Sequence, residues 1–302
     1  MSHRARNTVE RVLHHRLFAL NATYFRAATL IVAAAITSTV ISACTDDSTS
    51  PASALTTYGT ALTLGQGTAR TFATKDGSGK ITSLGIVMTE GAMQGLPTMP
   101  MGQSPSAAML TLDLPLTATN TGIDHVMLDW NPMGHEPDHV YTEPHFDFHF
   151  YQVSAAEVAA IDPASASFAA KASVLPTAEF VPVGYTAAST LAGAPAPAAT
   201  VPFMGLHWLD VTSPELLPPP AGKTFTTTFL YGSYDGKFIF LEPMITKSFI
   251  ESVKTKTDGV TMPIGVPARV ATPGLYPNAY SIKYDAGAKE YRITLEGMTQ
   301  RQ

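Results

Sequence analysis

The 302-residue chain has one cysteine, Cys44, and few charged residues, 14% of the total against 45% hydrophobic ones. A lone cysteine excludes an internal disulfide and a zinc site built from several thiolates. No dense run of lysine and arginine follows the first 26 residues and the formal charge is −5, so the footprint of a nucleic-acid-binding protein is missing. Long helical periodicity is missing too. The 22 glycines and 23 prolines fall every few residues without a period, which argues against coiled coils, collagen and helical bundles. What remains is a globular chain rich in turns, long enough to bury a sizeable core.

The N-terminus is written as an address. Residues 1–26 hold five arginines and one acid, Glu10, and residues 27–43 form an uncharged run of Ala, Ile, Val and Thr. This is a secretion signal, too short and too diluted by Thr and Ser for a spanning anchor. It ends in Ile41-Ser42-Ala43-Cys44, which resembles the bacterial lipobox, where the cysteine is diacylated and becomes the mature N-terminus. Two or three acyl chains on Cys44 hold a protein stably at a bilayer surface. The expected location is therefore the bacterial cell envelope, across the inner membrane, on the periplasmic face or at the outer membrane. With residues 1–44 removed, 14 basic and 23 acidic residues remain, a formal charge of −9, and no thiol is left for chemistry. Residues 45–57, polar and proline-containing at the start, read as a tether, and 58–302 as a β-rich domain.

Short alternating or β-branched runs separated by turn signals predict strands at 69–74, 80–89, 107–116, 125–130, 145–153, 223–231, 237–242, 279–284 and 290–295. The expected fold class is mainly β: an antiparallel sandwich or barrel-like single domain with a short helical insertion. The insertion is signalled by the capping box Ser154-Ala155-Ala156-Glu157 and by a weaker helix around 164–172. The Ala/Pro-rich stretch 186–202 reads as an excursion loop.

Chemistry concentrates in the histidines. Six of the nine lie beyond the signal: His125, His135, His139, His145, His149 and His207, five of them within 25 residues. In Pro144-His145-Phe146-Asp147-Phe148-His149-Phe150-Tyr151, a strand puts His145, Asp147 and His149 on one face and three phenylalanines on the other. Imidazoles and a carboxylate over an apolar backing suit a divalent metal of borderline softness, zinc first. On a straight strand His145 and His149 stand ~13 Å apart, so both reach one ion only if it sits over Asp147 or the strand bends. His207 and Glu242, each polar inside an apolar run, are the other candidates. The expected ligands are His145, His149, His207 and Glu242, with Asp147, His135 and His139 as alternates or supports of the ligands.

His135-Glu136-Pro137-Asp138-His139 fits the H-E-x-x-H pattern of zinc proteases, but that chemistry needs a helix, which Pro132, Pro137 and Pro144 oppose. The loop at 76–81 lacks the spacing of a phosphate loop, and no nucleophile elbow or hydrolase triad is visible.

Together, Gly134-His135-x-Pro137, the 144–151 segment, Met204-Gly205-x-His207-Trp208 and Glu242-Pro243-Met244-Ile245-Thr246 resemble a bacterial family of unknown function. Its namesake is a sigma-E-controlled protein of Thermus. The resemblance covers roughly Tyr58 to Leu295 and implies a secreted or lipid-anchored β-rich domain with a metal site and no established reaction. A weaker resemblance to cupins lacks their H-x-H spacing. Three functions stay open on the sequence. One is a lipid-anchored metal-binding domain, hydrolase or oxidoreductase included, acting on a small molecule. The second is a non-catalytic envelope protein whose histidines are structural or bind a partner, and the third is a ligand-binding lipoprotein with an apolar interior. The expected partners are a membrane through Cys44 and no nucleic acid. A homo-oligomer is left open.

Overall fold

The computed structural model describes residues 53–99, 109–118, 120–137 and 139–302. The segments expected to be a secretion signal, a lipobox ending in Cys44 and the first part of a tether lie outside them. In chain order the strands and helices are β1 (Leu55–Tyr58), β2 (Leu62–Leu64), β3 (Gly67–Lys75), β4 (Ile81–Thr89), β5 (Met109–Asp113), β6 (His125–Asn131) and β7 (His145–Tyr151), then α1 (Ala155–Ala159) and α2 (Phe168–Ala172). They continue with β8 (Tyr185–Ala187), α3 (Ala188–Leu191), α4 (Ala196–Ala199), β9 (Leu206–Asp210), β10 (Thr227–Tyr234), β11 (Lys237–Thr246) and α5 (Lys247–Ser252). The last strands are β12 (Val260–Pro263), β13 (Gly274–Tyr276), β14 (Ala279–Asp285), β15 (Glu290–Glu296) and β16 (Thr299–Arg301).

The fold is mainly antiparallel β and no barrel closes. One seven-stranded sheet has the order β1-β3-β4-β15-β14-β12 with β2 beside β3, the other the order β5-β6-β7-β11-β10-β9-β8, and β13 pairs β16 in a small third sheet. Alternation decides which faces meet. Leu84, Ile86 and Met88 of β4 and Tyr291, Ile293 and Leu295 of β15 share one buried cluster with Phe146, Phe148 and Phe150 of β7. Each of those phenylalanines is fully buried, worth about 2 kcal/mol in transfer from water. All strands of both sheets and the cluster between them fall within residues 55–301, so this part of the chain carries its own core.

The second sheet has another, outward face, and 153–204 folds over it. Met127, Tyr151 and Phe240 of that face pack with Val158 and Ile161 around α1 and with Phe168 and Ala172 of α2. The capping box forms as the spacing predicts: the Ser154 hydroxyl accepts from the Glu157 N–H while the Glu157 carboxylate accepts from the Ser154 N–H. Two expectations need correction. Residues 186–202 are not a plain loop, since β8, α3 and α4 lie there. Helices of four residues are too short to leave a hydrophobic period. The strand expected to stop at Glu242 runs on through Pro243 to Thr246. Pro243 is tolerated in a central strand because its register with β10 continues while the register with β7 skips Glu242 and Pro243, where proline has no N–H to donate.

Candidate metal centre

Cross-strand register assembles a polar row on the outward face. Asp129 stands opposite Asp147, Asn131 opposite His145 and Met127 opposite His149, so β6 and β7 present all of these on one side. From the other flank, Thr246 of β11 stands opposite His145 and Met244 opposite Asp147, and Glu242 shares their face. His207 of β9 stands opposite Gly232 of β10, and Gly232 opposite Phe240. A Cβ at Gly232 would enter the Phe240 ring, so only glycine lets that ring lie where it does. There it meets His149 at 4.9 Å and His207 at 5.3 Å between centroids, both near edge to face, and holds the two imidazoles in place.

Two groups of ligand-type side chains result. In the first, His149, His207 and Glu242 bring one ligand atom each to within 4.8 Å of one another. Glu242 Oε1 lies 3.5 Å from His149 Nε2, and Oε2 lies 3.4 Å from His207 Nε2. The other His149 nitrogen, Nδ1, faces Asp129 Oδ2 at 3.2 Å. His149 and Glu242 are buried, and both His149 nitrogens, Glu242 Oε2 and Asp129 Oδ2 have no hydrogen-bond partner among the described residues. Such orphaned atoms each cost about 1–3 kcal/mol unless something else satisfies them.

The second group is His135, His145 and Asp147. His145 Nδ1 lies 2.6 Å from the Glu143 carbonyl oxygen and His135 Nδ1 lies 2.7 Å from that of Glu136. A carbonyl only accepts, so Nδ1–H donates in both rings, and in the neutral ring Nε2 carries a lone pair. Those lone pairs face Asp147: His145 Nε2 is 3.2 Å from Oδ1 and His135 Nε2 is 3.4 Å from Oδ2. Lone pairs turned toward a carboxylate repel unless a proton or a cation lies between them. Histidines that ligate metals are held in this way, one nitrogen tied to a carbonyl and the other free. Asn131 Nδ2 donates to Asp147 Oδ2 at 2.7 Å and fixes the carboxylate. His135 arrives on the loop after β6, whose tight return needs Gly134 at φ 68°, where a Cβ would strike the Tyr141 carbonyl and Thr142.

Burial and mutual charge pull the titrations apart. Burial pushes Glu242 up, to about 8, and raises Asp129 as well. Burial would lower His149, but Glu242 and Asp129 outweigh it and lift it to about 9. His135 is likewise lifted to about 9, against its burial, by Asp147. Asp147 goes the opposite way from what its burial dictates, held low by His135 and His145. Burial takes His207 down to about 3, helped by the charge on His149. The neutral His207 ring is the state in which an imidazole ligates. Four imidazoles and three carboxylates, with unpartnered atoms on His145, His149, Asp129, Asp147 and Glu242, fit a divalent cation, and either group could hold one.

Of the residues expected from sequence, His149, His207 and Glu242 come together, while His145 joins Asp147 and His135 in the second group. His139 is exposed, at φ 66°, and belongs to neither group. The His135–His139 stretch forms no helix at its described residues, as its prolines require. His125 stacks on Tyr151 and faces Asp124, away from both groups. Three residues of the site went unnoticed in the sequence: Asp129, Asn131 and Tyr141. Asp129 carries the same signal as Glu242, an acid inside an apolar strand, and the other two have no signal of their own.

A cavity of about 630 Å³ opens above the row. Asp129, His135, Asp147 and His207 line its floor, and Leu191, Ala192, Val201 and Met204 form much of its wall. Among the described residues no serine, threonine, cysteine or lysine lines it.

A family model described as TTHB210-like, a hypothetical protein, matches residues 76–130. The chain is similar to that family from the turn after β3 to Trp130 of β6, well under half its length, with Asp129 inside the match and both ligand groups beyond it. No curated protein and no solved structure matches the chain.

Proposed function

We propose that the chain is a metal-binding domain of the bacterial cell envelope, exported, tethered to a bilayer through acylated Cys44, and holding zinc at His149, His207 and Glu242. The observation that carries this reading is the convergence within 4.8 Å of ligand atoms of His149, His207 and Glu242, with the buried His149 nitrogens and Glu242 Oε2 left without partners among the described residues. Asp129 orients His149 through Nδ1, and His135, His145 and Asp147 offer a second position on the same floor. Zinc leads because imidazole and carboxylate ligands without thiolate, in a site that keeps an open position, match its catalytic donor sets. A bound divalent ion polarises a substrate oxygen or acidifies a coordinated water. Among the described residues the cavity lining adds no serine, threonine, cysteine or lysine nucleophile to that chemistry.

Elemental analysis of residues 45–302, expressed without a His tag, tests the reading. The wild-type chain is expected to retain at least one zinc per chain after dialysis, and His149→Ala to lose the ion of the first group. Wild-type protein free of metal, even after stripping and reloading with zinc, overturns it.

A further inference from the structure

The cavity has two ends of different chemistry, and that polarity describes its ligand. The floor is the polar row, and the wall running along α3 and α4 toward Met204 is aliphatic. A volume near 630 Å³ is in the range that encloses a small organic molecule and exceeds what a single ion and its waters need. Two wall residues, Leu191 at 50% exposure and Val201 at 38%, keep much of their apolar surface open to solvent. An apolar body lying against them gains by covering it.

Charge narrows the head of that ligand. Asp129, Glu136 and Asp147 line the cavity, Glu242 stands 3.4 Å from the lining His207, and among the described residues no lysine or arginine lines it. Against one zinc these four carboxylates leave the floor two formal charges negative. A proton on His135 returns one of them, and a second zinc brings the floor only to neutral. An anion therefore finds no net attraction there. Two other contacts are on offer. A zinc on His149, His207 and Glu242 keeps a fourth position for a lone pair. Ionised carboxylates only accept hydrogen bonds, so a floor of them calls for a donor. A hydroxyl supplies both and carries no charge. An ammonium donates but has no lone pair for the ion, and an ether or a carboxylate has lone pairs but nothing to donate.

We propose that the cavity binds an aliphatic alcohol, with the hydroxyl oxygen on the zinc, the hydroxyl hydrogen donated to a floor carboxylate, and the chain along Leu191, Val201 and Met204. The inference rests on the metal reading above for its head group. The aliphatic wall binds the chain without help from the ion.

Calorimetric titration of residues 45–302 with octanol, propanol, octylammonium, octanoate and octyl methyl ether, on zinc-loaded and chelator-stripped protein of measured metal content, tests it. Each methylene buried against the wall is worth about fourfold in affinity, so octanol is expected to bind zinc-loaded protein at least tenfold tighter than propanol. It should exceed octylammonium, octanoate and the ether by at least tenfold as well, and stripping should weaken it at least tenfold. Leu191→Asp, a charge placed at an exposed wall position, should weaken octanol at least tenfold and leave propanol affinity and zinc content as they were. If zinc is retained and octanol binds no tighter than propanol, or the ether, octanoate or octylammonium binds as well, the inference falls and the metal reading stands. Equal binding of octanol to stripped protein, or octanol unaffected by Leu191→Asp, overturns it in the same way. If the wild-type chain holds no zinc, the metal reading falls first and takes the head-group assignment with it.

Discussion

The two faces of β7 are equally buried and differently finished. Phe146, Phe148 and Phe150 meet the opposite sheet's Leu, Ile and Met side chains and leave nothing over. His145, Asp147 and His149, one residue out of phase, are buried at 0–5% exposure and yet leave ring nitrogens and a carboxylate oxygen without partners. Burial of an apolar side chain is complete once it is surrounded. Burial of a polar one is complete only when each lone pair and proton has been matched. The polar face is therefore unfinished as the chain stands, and the difference between the faces can be tested by removing one side chain at a time.

The largest effect is expected on the apolar face. Phe148→Ala opens a void in the inter-sheet core and should cost about 3–5 kcal/mol in urea unfolding, the same with or without zinc. On the polar face the metal itself is the variable. Saturating zinc at a thousand times its dissociation constant should raise stability by about 4 kcal/mol, and a chelator should remove that increment in the wild type. The increment should shrink sharply in His149→Ala. Zinc stabilising both variants equally would show that the ion binds elsewhere.

Acidity separates the faces next. In the stripped chain His149 is lifted from 6.5 to about 9 and Glu242 from 4.5 to about 8. The folded state thus holds more protons than the unfolded one, so its stability must fall as pH rises. The contribution of charged His149 is complete below 6.5 and is lost on passing 9, while the cost of ionising buried Glu242 grows from 4.5 toward 8. Stability of stripped protein should therefore decline between pH 6.5 and 9 at roughly 2 kcal/mol per unit. Zinc displaces these protons and needs the ligands deprotonated, so its affinity should rise over the same interval. Denaturation of both forms at pH 6.5, 7.5 and 9 decides it, and parallel curves would count against the site.

The sequence made the two faces of β7 legible because alternation over seven residues needs no tertiary information. His207 and Glu242 were legible as polar residues in apolar runs. Asp129 had the same mark in His125-Val126-Met127-Leu128-Asp129-Trp130 and was passed over, since one acid beside a histidine cluster reads as part of the strand's ordinary edge. The division of the ligands into two groups was latent in the ~13 Å between His145 and His149. Choosing between a bent strand and two groups required the register of β6 and β11, which alternation cannot supply. Asn131 matters only through the β6–β7 register that sets it beside Asp147, and Tyr141 only because the loop after β6 returns to the sheet, a path set by Gly134 and by the His135 N–H to Tyr141 carbonyl hydrogen bond.

The smallest expected effect distinguishes the two groups from each other. The His149 ring is fully buried and strand-borne, whereas the His135 side chain is 38% exposed and loop-borne. Removing His149 from stripped protein leaves Glu242 and Asp129 facing an emptied, buried space, so stability should fall by about 3 kcal/mol or more. Removing His135 leaves Asp147 still bonded to Asn131 and facing His145, with water able to enter from the exposed side. His135→Ala should change stripped-state stability by less than about 1 kcal/mol, as an exposed contact does. Its effect should show instead in metal stoichiometry, as a drop of about 10- to 100-fold in affinity at a second, weaker position, with the first ion retained. Isothermal titration with zinc separates the two cases. Two sites in the wild type and one in His135→Ala would show that the loop supplies an adjustable ligand beside a strand-built one, whereas a single site in the wild type that His135→Ala abolishes would mean that both groups serve a single ion.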